Sequence, residues 1–380
     1  MSKKPLLFVS RKWPPAIGGM ETYSLELHSA LSREYDIELL VLPGKDDGRP
    51  PSLLSLAIFL IKVAVYCISK GRKYDLVIFT DIILTPAALL HRLVRKDANR
   101  ITIVHGLDLV YSNRSGLLPF IYGYYLTFIL KCQSVFSNIV ANSESTRSIA
   151  EKAGFKNLSV VRPSLPKNGI LSFSDQKPEP PKEYLGCKYP IFYFGRLIPR
   201  KGSLWFAENV LPKLPQGTLF FVSGGKSDQE YAKKLINCER VRYLGTLKSE
   251  EIVDYIRYSS LVVMPNIIIE GNQDKEGFGL VAIEASAIGC VLLASDLEGI
   301  SDAVQDRITG HKVEPNNAKS WIEKIRKLLK MSKQAKEEWK KSSARKTKRI
   351  YSEEKILQEF RILLERDSTV SKSFPNGGRK

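Results

Sequence analysis

Short apolar runs and longer amphipathic stretches alternate along this chain from its first residues. Residues 6–9, 37–42, 76–79, 101–104 and 139–141 are predominantly apolar and of strand length, and Val160-Val161 marks one more. Runs apolar on both faces fit strands covered on both sides by helices. Between them, residues 21–32 place Tyr23, Leu27, Ala30 and Leu31 on one helical face. Residues 53–69, 85–93 and 117–131 also read as helices, and Ser143 ahead of Glu144 supplies an N-cap signal for another. Strand and helix in regular alternation predict an α/β fold with parallel sheets.

The alternation pauses and restarts. Residues 163–183 are rich in Pro, Ser, Asp and Lys and end in Lys177-Pro178-Glu179-Pro180-Pro181, a linker composition. Strands then follow at 191–194, 219–222, 241–244, 261–264 and 291–294, with helices at 204–211, 228–236, 250–258, 318–329 and 353–366. The pattern divides the chain into a first domain (1–165), a linker (166–185), a second domain (186–345), a C-terminal helical segment (346–366) and a polar, disordered tail (367–380).

Charge and cysteine usage narrow the partners. Over 380 residues, 58 Lys and Arg against 40 Asp and Glu leave a net charge of +18, which favours an anionic partner. Cys67, Cys132, Cys187, Cys238 and Cys290 form no C-x-x-C pair, which fits a reduced, cytoplasmic setting and no zinc site. The apolar run at 6–9 is too short for a signal-peptide core. The longest apolar stretch, 53–68, is broken by Lys62 and falls short of the ~20 residues that cross a bilayer. It and residues 117–130 are bordered by Lys70, Arg72, Lys73, Arg114 and Lys131. These are helices that either cover the sheet or lie on an anionic membrane surface.

One stretch carries the chemistry. Asp274 and Lys275 lead into Glu276-Gly277-Phe278-Gly279-Leu280, and Glu284 follows eight positions after Glu276. The pattern predicts a loop carboxylate, a tight glycine turn and a helix over 278–287. Its free N–H groups suit a phosphate, and its two carboxylates suit hydroxyl groups. Phosphate, ribose and sugar in one pocket describe a nucleotide-sugar.

Glu276-Gly277-Phe278-Gly279-Leu280 with Glu284-Ala285-Ser286-Ala287-Ile288-Gly289 resembles the E-G-F-G-L and E-A-x-A-x-G elements of the retaining glycosyltransferases of family 4, also known as group 1. One departure is Val291-Leu292 where that family usually has Pro-Val. The resemblance implies the GT-B fold: two Rossmann-like domains facing each other across a cleft, the C-terminal helix packing back on the first. It assigns Gly195-Arg196-Leu197 and Lys201-Gly202, directly after a strand, to the donor diphosphate. Arg196 grips phosphate through two parallel hydrogen bonds and Lys201 adds a point charge. Gly18 and Gly19, after the first strand, correspond to the family's glycine pair near the donor phosphates. His105 of His105-Gly106 corresponds to the residue facing the transferred sugar. The family roles put Glu276, Lys201, Arg196 and His105 in catalysis, and Gly277, Phe278, Gly279, Leu280 and Glu284 beside the donor. Gly224, Gly245 and Thr246 follow strands and form a candidate base and ribose wall. Glu276 and Lys201 are expected to be exposed groups of the cleft.

The expected activity is retaining transfer of a sugar from a UDP- or GDP-sugar to an acceptor hydroxyl. The acceptor would be a glycan, lipid-linked or part of a glycolipid, in polysaccharide or lipopolysaccharide synthesis at the cytoplasmic face of an anionic membrane. No cofactor and no metal are expected, since no D-x-D motif stands beside a strand end, and no nucleic acid, since no basic run is interleaved with aromatics. The competing readings are another GT-B enzyme, such as a sugar-nucleotide epimerase or a phosphorylase, and a non-catalytic basic binding protein. The last leaves the Glu276/Glu284 spacing without a purpose.

Overall fold

A computed structural model describes residues 3–16, 18–46, 48–271 and 275–372, apart from the side chains of Leu107 and residues 365–372. Asp274 and residues 373–380 therefore lie outside the described residues. The chain divides into two units, one of residues 1–164 with 352–380, the other of residues 165–351.

The first unit is a parallel sheet of β1 (Lys4–Trp13), β2 (Tyr35–Pro43), β3 (Leu76–Phe79), β4 (Asn99–Val104), β5 (Asn138–Ala141) and β6 (Leu158–Val160). Its order is β2-β1-β3-β4-β5-β6. The connections are α1 (Gly19–Leu31), α2 (Leu53–Ser69), α3 (Thr85–Val94), α4 (Leu107–Val110), α5 (Leu117–Cys132) and α6 (Glu144–Ala153). Successive strand side chains point to opposite faces, so β1 feeds two cores. Leu7 and Val9 meet Phe59 and Val63 of α2 and Ile129 of α5 on one face. Leu6 and Phe8 meet Tyr23 and Leu27 of α1 on the other. That second core also holds Ile356, Leu357 and Phe360 of the chain's last helix, α14 (Glu353–Lys372). Arg33 pairs with Glu354 at 2.7 Å, and Arg361 pairs with Glu34.

The second unit repeats the plan. β7 (Tyr189–Phe194), β8 (Thr218–Ser223), β9 (Val241–Tyr243), β10 (Leu261–Met264), β11 (Leu292–Ser295) and β12 (His311–Val313) run parallel in the order β12-β11-β10-β7-β8-β9. Around them lie α7 (Ser203–Asn209), α8 (Gln229–Ile236), α9 (Ser249–Tyr258), α10 (Leu280–Ile288), α11 (Glu298–Ala303), α12 (Ala318–Leu329) and α13 (Lys333–Ile350). Trp321 and Phe206 fill one face and Ile256, Ile283 and Phe278 the other. Strand order reverses between β1 and β3 in the first unit and between β7 and β10 in the second. In open α/β sheets ligands bind beyond the strands' carboxyl ends at such reversal points.

Three expectations change. Residues 166–185 are not a free linker: Ile170 and Tyr184 are buried in the second unit's core, and the Tyr184 hydroxyl lies 2.8 Å from Ser259 Oγ. Scattered apolar residues in a Pro-rich run anchor it without forming regular structure. The boundary falls at Ser164/Leu165 instead. The motif helix begins at Leu280, not Phe278, because Gly279 takes a φ of 86°, a left-handed conformation no helix interior accepts. Finally, α14 extends to Lys372, into the stretch read as a disordered tail.

Candidate active site

In the second unit the loops after β7 and β10 meet at the reversal point. β7 ends at Phe194, and the chain passes through Arg196 to a turn at Pro199–Lys201. Gly202 then enters α7 with a φ of 70°, and a Cβ there would stand 1.8 Å from the Pro265 carbonyl oxygen just past β10. Only glycine permits that approach. The Ile267 N–H donates to the Arg200 carbonyl at 3.1 Å and ties the two loops together. This places Arg200 and Lys201 opposite Glu276.

The Glu276 carboxylate accepts from Arg200 Nη1 at 2.6 Å and from Lys201 Nζ at 2.7 Å. The expectation of exposed cleft groups is overturned: the Glu276 and Lys201 side chains are 15% and 12% exposed. Burial pushes the Glu276 carboxyl up, but the charges and hydrogen bonds of Lys201 and Arg200 outweigh it and bring it to about 2. Burial lowers Lys201, which Glu276 only partly restores. Glu276 is therefore a fixed anion at neutral pH, a hydrogen-bond acceptor and not a proton donor. Arg196 is exposed and contributes to the field at Lys201 without touching Glu276.

The Glu276 peptide is clamped from α11. Glu298 Oε2 accepts the Glu276 N–H at 2.6 Å, Glu298 Oε1 lies 3.1 Å from Lys275 Nζ, and the Gly299 N–H donates to the Glu276 carbonyl at 3.1 Å. Glu298 holds this position with a φ of 51°, a region a long side chain enters at a cost of about 1 kcal/mol or more.

The rest of the motif divides into wall and anchor. Gly277 and Gly279 carry the chain into α10, whose N-terminus has no side-chain cap. Its first N–H groups and dipole favour an anion there. The Phe278 ring does not line a site: it is buried edge-on against Tyr351, with ring centroids 5.8 Å apart, and fastens the loop to the core. Leu280, Val281, Glu284 and Ile288 share the half-buried face of α10. Burial raises Glu284 to about 7, and its carboxylate has no hydrogen-bond or ion-pair partner among the described residues.

The loops after β8 and β9 are stitched to the same end of the sheet. Gly224 N–H donates to the Gly245 carbonyl at 2.9 Å, Ser223 Oγ donates to the same oxygen at 3.0 Å, and Tyr243 Oη donates to the Gly224 carbonyl at 2.9 Å. Thr246 is exposed beside them.

The first unit gathers its own candidates at the β1/β3 reversal. Gly18 and Gly19 open α1, and the Gly18 carbonyl accepts the Thr22 N–H at 3.0 Å. His105, just past β4, is buried. Its Nε2 faces the Thr80 carbonyl at 3.0 Å, so Nε2 carries the proton and Nδ1 is a buried acceptor. Burial holds its pKa below the ordinary value, so the ring is neutral. Sequence reading missed its neighbours. Arg11 pairs with the fully buried Asp81 at 2.5 Å, and Asp108 receives the His105 N–H at 3.1 Å. Burial and Asp81 push Asp108 up to about 7 against the pull of the His105 N–H and Arg11. Arg200 and Glu298 were also missed. Arg200 stands beside Lys201 in a strand-end loop and was legible, whereas nothing in the sequence marks Glu298.

The chain resembles known proteins in sequence and in fold. Residues 188–331 match the family described as glycosyl transferases group 1. The O-antigen biosynthesis glycosyltransferase WbnH of Escherichia coli is 25% identical over 303 residues, 76% of this chain and 81% of that protein. The D-inositol 3-phosphate glycosyltransferase of Nocardia farcinica is 38% identical over 100 residues, which cover 26% of this chain and only 21% of that relative. Among solved structures, a glycosyltransferase from Rickettsia africae superposes with a TM-score of 0.69 at 17% identity, covering 98% of this chain and all of that one. The Anabaena protein HepE, solved in complex with UDP, gives 0.68 at 18% identity over 95% and 99% of the two chains. The second unit thus matches the group 1 glycosyl transferase family over residues 188–331, and the chain has the GT-B fold.

Proposed function

We propose that this chain is a retaining glycosyltransferase that moves a sugar from a UDP- or GDP-sugar to an acceptor hydroxyl. The observation that carries the reading is the Arg200–Glu276–Lys201 cluster at the β7/β10 reversal, ahead of the uncapped N-terminus of α10. In this reading Lys201, Arg200 and Arg196 take the charge that develops on the leaving diphosphate, with the N–H groups of α10 as further donors. Glu276, ionised at every working pH, accepts from hydroxyls of the transferred sugar, and Glu284 accepts from the ribose. No side chain of the cluster suits a covalent intermediate: Glu276 is neutralised by two cations and is a poor nucleophile. Substitution on the face the leaving group departs from, with its phosphate taking the acceptor proton, is therefore the favoured route. By family resemblance His105, neutral and with Nδ1 as acceptor, is a candidate to receive a sugar hydroxyl.

The complexes of HepE with UDP, and the O-antigen role named for WbnH, favour a uridine donor and a cell-surface glycan acceptor. The acceptor is read as lipid-linked or a glycolipid, met at the cytoplasmic face of the membrane. The test is transfer from a panel of UDP- and GDP-sugars to lipid-linked glycan acceptors, with the anomeric configuration of the product read by NMR. Retention of configuration, unaffected by a chelator, is expected. Inversion, or donor consumption yielding an epimer and no glycoside, would contradict it.

A further inference from the structure

α2 turns Phe59, Val63 and Cys67 into the first unit's core. Its opposite face is just as apolar: Leu54, Ile58, Ile61, Val65 and Ile68 form one stripe, between 52% and 71% exposed. α5 repeats this, burying Leu126 and Ile129 and exposing Leu117, Ile121, Tyr124 and Phe128 at a spacing of about one turn. α3 packs against both helices and leaves Leu93 79% exposed. An open groove along α3 is lined by Pro86, Leu89, Leu90 and Leu93 together with Arg92 and Lys96. Monomeric proteins seldom leave so continuous an apolar face in water.

We propose that the outer face of α2, α3 and α5 docks on an anionic lipid leaflet, lying in its interface. The proposal deepens the lipid-linked acceptor reading and rests on it only for the purpose of docking. Charge selects the occupant. None of the three helices contains an Asp or Glu, whereas Lys62, Lys70, Lys73, Arg92, Lys96 and Lys131 stand on or beside the stripes. A second copy of the chain would bring two such cationic rims together, whereas an anionic leaflet neutralises them. Among the described residues no helix is long and apolar enough to cross a membrane, so the stripes fit interfacial seating. The docking helix also reaches the strand-end loops: Tyr122 Oη donates to the Asp108 carbonyl at 2.8 Å, and Tyr125 Oη donates to the Ile83 carbonyl at 2.6 Å. The outward face of α5 meets lipid while its inward face holds the loops that carry His105 and Asp81.

The experiment is co-sedimentation of the full chain with phosphatidylcholine vesicles, with and without phosphatidylglycerol. Binding is expected only with phosphatidylglycerol, and it weakens as salt shortens the screening length. Lys62→Gln and Lys131→Gln should each weaken it about fivefold. Ile58→Asp with Ile61→Asp should weaken it more than about tenfold. Both aspartates sit on exposed positions, so circular dichroism and release of UDP or GDP from the donor stay unchanged. As a variant that keeps the apolar face, Ile61→Trp should gain fluorescence quenching from brominated lipid. No sedimentation at low salt, equal binding to neutral vesicles, or a solution dimer dispersed by the double aspartate variant would each overturn the proposal. Wild-type protein that releases nucleotide from the donor but does not sediment with the phosphatidylglycerol vesicles counts against docking alone. Binding retained with no donor turned over counts against the transferase reading alone.

Discussion

Replacing Glu276 by glutamine keeps the side chain's shape and removes the charge between two cations. The gap between an ordinary 4.5 and about 2 corresponds to about 3 kcal/mol of preference for the carboxylate at neutral pH. Lys201 moves the other way, held below its ordinary value by burial despite Glu276. The two partners disagree because one carboxylate gathers two cations while each cation bears its own desolvation. The carboxylate gives the upper bound, and the lysine discounts it. A net loss of about 1–3 kcal/mol is expected, which in a unit of this size lowers the thermal midpoint by about 2–12 °C. The sign with pH follows from a depressed carboxyl. Its contribution is present above 4.5 and fades as pH falls toward about 2. The gap between wild type and Glu276→Gln should therefore close over that window in a scanning calorimeter. Function should part from stability. With Glu276 neutral, Arg200 and Lys201 are free for phosphate, so nucleoside diphosphate binding holds or tightens while turnover falls about a hundredfold. Equal midpoints at pH 7, or wild-type turnover, would refute the reasoning.

Other consequences are open to the same methods. Glu298→Gly relieves the positive φ but loses the acceptor for the Glu276 N–H, so kcat should drop about tenfold with donor KM little changed, and Glu298→Gln should recover most of it; a drop in stability without a kcat effect would assign Glu298 to structure only. Gly202→Ala sets a methyl 1.8 Å from the Pro265 oxygen and should destabilise the second unit by more than about 2 kcal/mol, read by denaturant titration; tolerance would mean the loops are not locked together. Asp108, raised to about 7, contributes stability below its ordinary 3.8 that is lost as pH rises through 7, so Asp108→Asn should gain on wild type between about pH 4 and pH 7 and hold that gain above; a constant difference would remove the buried-acid reading.

Much of this was legible because the apolar pattern carries it. Strands buried on both faces announce themselves as unbroken apolar runs, and β3, β7 and β10 coincide with them within a residue or two. Where burial does not follow a period, reading failed. α13 is charged over most of its surface and packs through Ser343 and Thr347, with Thr347 Oγ1 2.8 Å from Ser286 Oγ of α10. Small polar contacts leave no stripe, and the helix was overlooked. The motif at 276–280 pointed to its loop because glycine spacing encodes backbone shape. Its electrostatics did not show, since Arg200 and Glu298 reach Glu276 from elements 76 and 22 residues away. The motif resemblance placed Phe278 beside the donor, whereas its ring is buried against Tyr351 and serves the core.

The central claim is that the β7/β10 reversal binds a nucleoside diphosphate through Lys201 and Arg200. Thermal shift of wild type and Lys201→Ala against UDP and GDP tests it directly, because a ligand raises the midpoint only in the protein that binds it. The account predicts that one of the two nucleotides stabilises wild type, by about 2.7 kcal/mol at a hundred times its Kd, and leaves Lys201→Ala unmoved at the same concentration. No shift of wild type with either nucleotide, or an equal shift of both proteins, would contradict it.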